Sequence, residues 1–98
     1  MMLDKKEILN LIFKQIMEID DIDVVNDFKE YNSREDYPLI GSKTLLDSMD
    51  LVTLIISVEA EINKTYPNVK IVSDDAMAER SSPFKSPKSI AEYVIKQL

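Results

Sequence analysis

From Ser48 to Asn63 the chain runs Ser-Met-Asp-Leu-Val-Thr-Leu-Ile-Ile-Ser-Val-Glu-Ala-Glu-Ile-Asn, and no proline or glycine occurs before Pro67. Leu51, Val52, Leu54, Ile55, Ile56, Val58 and Ile62 recur at helical spacing, which predicts a helix over about 48–63. A helix this apolar must bury one side against other elements, so it commits the chain to a packed helical architecture. Asp47 or Ser48 supplies its N-cap.

Ser48 stands at the mouth of this helix. Unpaired backbone N–H groups collect there and the helix dipole favours negative charge, so a phosphate attached to an exposed serine oxygen is well placed. The plainer reading is that Ser48 caps the helix, as serine does at many helix starts.

The 98 residues suffice for one domain, 1–98, with a single modest core. A formal charge of −6 argues against a nucleic-acid partner. The charge is uneven: residues 44–62 carry four acids, Asp47, Asp50, Glu59 and Glu61, and no base, so the helix after Ser48 offers itself to a basic partner. Cysteine and histidine are absent. That excludes disulfides, thiolate or imidazole metal sites, cysteine nucleophiles and the commonest general base, so a self-sufficient enzyme is not expected. No apolar run reaches the length of a membrane span, and Met1-Met2-Leu3-Asp4 lacks the pattern of a signal peptide, which makes the cytoplasm the expected compartment and a monomer the default state.

Read in order, Asp4 and Glu7 form a capping-box pattern that opens a first helix. Ile8, Leu11, Ile12, Gln15, Ile16 and Ile19 mark its core face, and it should stop near Asp20. The connection from about 20 to 47 is long for a small domain and is expected to carry local structure; Val24, Val25, Phe28 and Tyr31 have the spacing of a short helical turn. Asp21-Ile22-Asp23-Val24-Val25-Asn26 lacks the fifth-position ligand and sixth-position glycine of a calcium loop. Asn32 to Pro38 is expected to be a polar, exposed turn, Leu39 and Ile40 re-enter the core, Gly41 takes a turn conformation, and Leu45 and Leu46 anchor the loop before Ser48. After Asn68, Val69, Ile71 and Val72 lay an extended segment on the core. Ser73-Asp74-Asp75 caps a short helix to about Glu79, Ser81-Ser82-Pro83 breaks it, and Ser86-Pro87 opens a last helix with Ile90, Ala91, Tyr93, Val94 and Leu98 as its apolar contribution.

Asp47-Ser48-Met49-Asp50-Leu51-Val52, followed by Leu54 to Ile62, resembles the Asp-Ser-Leu motif and second helix of acyl carrier proteins. The order of helices, the size and the acidity are similar across nearly the whole chain. The resemblance implies an all-α fold, a small four-helix bundle with a long loop between helices 1 and 2 and a short third helix. It also implies that Ser48 carries 4′-phosphopantetheine, whose thiol, absent from the chain itself, holds an acyl or aminoacyl group as a thioester. The implied partners are a phosphopantetheinyl transferase and loading and transferring enzymes with basic docking surfaces, which would meet Asp47, Met49, Asp50, Val52 and Ile56, with Ile71 bordering the arm. Met49, Val52 and Ile56 lie at i, i+3 and i+7 on one helix face, yet Val52 and Ile56 serve equally well as core positions. Thr53 and Ala60 stand where many fatty-acid carriers have acids, and the Leu45-Leu46-Asp47-Ser48 run resembles aminoacyl carriers, including D-alanyl carriers. Together with a start at Met1 and an end just past the last helix, this suggests a free-standing carrier for a specialised biosynthetic pathway. The alternative is a helical protein-interaction module in which Ser48 is only a cap.

Overall fold

The computed structural model describes residues 4–71 and 84–98, and these contain four α-helices, one 3-10 turn and no strand. The first helix, α1 (Lys5–Met17), starts where the Asp4 carboxylate accepts the Glu7 N–H at 2.8 Å. It buries Ile8, Leu9, Ile12, Gln15 and Ile16, a stripe at helical spacing, and packs against every other α-helix of the described residues.

The long connection is more ordered than its spacing suggests. Instead of a short turn it holds a nine-residue helix, α2 (Ile22–Glu30), capped by the Asp21 carboxylate, which accepts the N–H groups of Asp23 and Val24. The acidic run around Asp21 thus starts a helix, and no cluster among the described residues could hold a metal ion. Val24, Val25 and Phe28 are its buried face. A 3-10 turn at Arg34–Asp36 follows, closed by the Ser33 hydroxyl donating to Asp36 at 2.8 Å.

Tyr37 corrects the expectation of an exposed turn: its side chain is fully buried and its hydroxyl donates to the Asp27 carboxylate at 2.8 Å. Its ring meets Phe28 and Tyr31 edge-on, with centroids 5.2 and 5.1 Å away. The aromatic body outweighs the polarity of its neighbours because its one polar atom finds an acceptor inside α2. Leu39 is buried beside it, Ile40 only half-buried, and the Leu39 N–H donates to the Lys85 carbonyl at 3.0 Å, which ties the connection to the far end of the chain.

The predicted central helix is α3 (Ser48–Asn63), with Leu54, Ile55, Val58 and Ile62 buried. Beyond it the Asn63 side-chain amide donates to the carbonyls of Tyr66 and Val69, and the Ile71 N–H donates to the Glu59 carboxylate at 2.7 Å. The last helix, α4 (Pro87–Ile95), opens as predicted, with Ser86 accepting the Ser89 N–H and Pro87 in the first turn. Tyr93 is half-buried, while Leu98 lies exposed beyond the helix. Val72, the short helix expected over 73–79 and the break at 81–83 lie outside the described residues.

The Tyr37 phenol is pushed well above its ordinary range, first by burial and then by its hydrogen bond to Asp27. A phenol that ionises later in the folded than in the unfolded state stabilises the fold fully below the unfolded value of about 10, and that contribution is lost as pH rises beyond it. Urea-denaturation midpoints should therefore fall less steeply above about pH 10 in Tyr37→Phe than in the parent. At neutral pH the same substitution should cost about 1 kcal/mol for the lost hydrogen bond.

Candidate functional site

The site is built from a loop and a helix start. Gly41 has φ 95°, a left-handed conformation that favours glycine, and turns the chain after the buried Leu39. The Thr44 hydroxyl then accepts the Leu46 N–H at 3.1 Å, and Leu46 is buried. Leu45 does not share the anchoring role expected of it: it is 52% exposed. Only one of two adjacent side chains in a non-helical segment can face the core here, and Leu46 takes that place.

Asp47 is the N-cap. Its carboxylate accepts the Asp50 N–H at 2.7 Å, and its carbonyl accepts the Leu51 N–H at 3.1 Å. Ser48 is therefore the first residue of α3 and not its cap. Its side chain is exposed, and its hydroxyl has no hydrogen-bond partner among the described residues. The backbone N–H groups of Ser48 and Met49 are likewise unpartnered among these residues, as the first donors of a helix are. A hydroxyl free to act as a nucleophile thus sits beside two donors suited to phosphate oxygens.

Met49, Val52 and Ile56, at i, i+3 and i+7, are 77, 38 and 52% exposed. Val52 and Ile56, which the sequence could place in the core or on the surface, lie on the surface. The core instead takes Leu54, Ile55, Val58 and Ile62 on the opposite side of the helix. Three apolar side chains are thus exposed at helical spacing along one face of α3.

Several of the acids also make structural contacts: one oxygen of Asp47 caps the helix, Glu59 accepts the Ile71 N–H, and Glu61 pairs with Lys64 at 3.0 Å. Asp50 is half-buried. Ile71 is fully buried: its N–H donates to Glu59 on α3, and its side chain joins the core. Sequence spacing gave no sign of the exposed Leu45 or of the structural use of Glu59, because both depend on contacts outside α3.

Two concavities lie elsewhere. A wide one of about 670 Å³ between α1 and residues 29–35 is bordered by Lys6, Lys29 and Arg34, and one of about 210 Å³ lies beyond the C-terminal end of α3 beside Tyr66, Val69 and Gln97. Neither is lined by Ser48. No protein-family model, curated protein or solved structure matches the chain.

The division of labour at the helix start has a measurable consequence. Asp47→Ala should cost about 1 kcal/mol of stability through the lost cap. Ser48→Ala should stay within about 0.5 kcal/mol of the parent. Equilibrium denaturation in urea reads both.

Proposed function

We propose that the protein is a carrier of the acyl-carrier type, on which Ser48 bears 4′-phosphopantetheine. The observation that carries this reading is the state of Ser48: an exposed hydroxyl, free of partners among the described residues, at the first residue of a helix that Asp47 already caps. The exposed ridge of Met49, Val52 and Ile56 beside it supports a surface that enzymes grip.

In the attachment reaction a transferase brings coenzyme A to the helix start. The Ser48 hydroxyl oxygen attacks the phosphorus of the pyrophosphate that bears the pantetheine arm, forming a phosphodiester as the bond to adenosine 3′,5′-bisphosphate breaks. The hydroxyl proton passes to a general base in the complex with the transferase. Afterwards the N–H groups of Ser48 and Met49 are available to the phosphate oxygens, and the helix dipole favours their charge. The bound group supplies a thiol on a long arm, which holds an acyl or aminoacyl cargo as a thioester. Thr44, Leu46 and Asp47 fix the loop and helix start, so the attachment point is presented from a rigid body while partner enzymes perform the chemistry.

The exposed ridge also fits a second reading, a protein-interaction module that uses the same face and needs nothing of Ser48. One experiment separates the two. Incubated with coenzyme A and a broad-specificity phosphopantetheinyl transferase, the parent should gain the mass of one phosphopantetheine by intact-protein mass spectrometry, and Ser48→Ala should gain none. A folded parent that gains nothing at high transferase concentration would favour the interaction module.

A further inference from the structure

The wide concavity of about 670 Å³ between α1 and residues 29–35 is lined by the apolar Leu9, Phe13 and Tyr31 and by three bases, Lys6, Lys29 and Arg34. Arg34 is held in place: its guanidinium donates to the Lys29 carbonyl at 2.8 Å and lies 5.9 Å from the centroid of the Phe28 ring. None of the three bases forms a salt bridge among the described residues. Glu30 and Glu35 also line the concavity, so bases outnumber acids there in a chain where acids outnumber bases by 18 to 12. The start of α1 and the end of α2 meet at this place, and the turn that joins the two helices, residues 18–21, therefore lies toward the other end of the pair, the 13 residues of α1 spanning about 20 Å. That end has the opposite character. From Gln15 to Phe28 the chain carries five acids and no base. Glu18, Asp20 and Asp23 are exposed and form no salt bridge among the described residues. Beside them Met17 is 38% and Ile22 69% exposed, the latter at the first residue of α2.

We propose that the protein associates with copies of itself head to tail, the acidic turn around Ile22 of one copy seated in the basic concavity of the next. The proposal does not depend on the role of Ser48, which lies in neither surface. Both halves of the contact are present in one chain: Lys6, Lys29 and Arg34 face the charge of Glu18, Asp20 and Asp23, and Met17 and Ile22 exchange water for the apolar lining of Leu9, Phe13 and Tyr31. Shape favours the same occupant. A concavity this wide does not enclose a small anion, whereas a turn between helices brings the bulk that shuts water out. Two copies of charge −6 repel at a distance, but at physiological ionic strength charges more than about 8 Å apart are largely screened, and the match at the contact then decides. Because the two surfaces differ, each pair leaves one of each kind free, and association continues into short chains. The contact is small, so it is weak and depends on concentration.

The test is sedimentation equilibrium of the full-length protein at physiological salt. The weight-average mass of the parent should rise by at least about half a chain mass between about 20 µM and about 1 mM. Two variants each remove one half of the contact. Lys6→Glu with Lys29→Glu reverses the border of the concavity and spares Arg34, and Ile22→Lys alters the turn; all three positions are exposed, so circular dichroism should show both proteins folded. Each variant alone should stay at one chain mass over the same range. An equimolar mixture should regain association and stop at two chains, because the intact turn of one variant fits the intact concavity of the other and no further matching pair remains. A parent that stays at one chain mass would overturn the proposal and leave the concavity to an acidic segment of another protein. Association that survives in both variants would overturn it in favour of another surface of the chain, and a mixture that recovers nothing would overturn head-to-tail pairing.

Discussion

The buried stripe of α1 is the constraint on which the remaining structure depends. Ile8, Ile12 and Ile16 are without solvent exposure, and α2, α3 and α4 all pack on the helix that carries them. Each such side chain contributes roughly 2 kcal/mol when withdrawn from water, and three on one line leave the partner helices little freedom to rotate. The orientation of α3 follows: Leu54, Ile55, Val58 and Ile62 turn inward, and Met49, Val52 and Ile56 are left outside. The apolar ridge near Ser48 is thus a result of core packing as much as of local sequence.

The long connection between α1 and α3 holds the start of α3 in place. A free loop of that length would let the helix mouth wander, but α2, the Tyr37–Asp27 hydrogen bond and the Leu39–Lys85 backbone bond divide it into short tethered pieces. Gly41, Thr44 and Leu46 then set the last residues before Asp47. Under the proposed carrier function the consequence is mechanical: a group tethered at Ser48 would swing on its own arm while its root stays fixed.

Several carboxylates of this protein serve its structure. Asp4, Asp21 and Asp47 each cap a helix, Asp27 holds a buried phenol, and Glu59 pins the segment after α3. The cap at Asp21 likewise starts α2 within the acid-rich connection, its carboxylate accepting the N–H groups of Asp23 and Val24.

By itself the sequence determined what depends on neighbours along the chain. The extent of α3, the starts of α1 and α4 with their caps at Asp4 and Ser86, the inward Ile8, Ile12, Gln15 and Ile16 of α1 and the turn at Gly41 all follow from local spacing and cap chemistry, because helix periodicity and terminal hydrogen bonds involve residues within a few positions of one another, whereas α1 stops at Met17, short of the expected end near Asp20, and leaves Leu11 and Ile19 half-buried. Only the tertiary structure decided the rest. Whether Asp47 or Ser48 caps α3, whether Val52 and Ile56 face core or solvent, that Leu46 and not Leu45 enters the core, that Tyr37 and Ile71 are buried and that Glu59 is a tether are choices between alternatives that the local sequence leaves nearly equal in energy. Packing against α1 and contacts between distant segments break those ties, and they leave Ser48 exposed, with no hydrogen-bond partner among the described residues, at the head of an exposed apolar face.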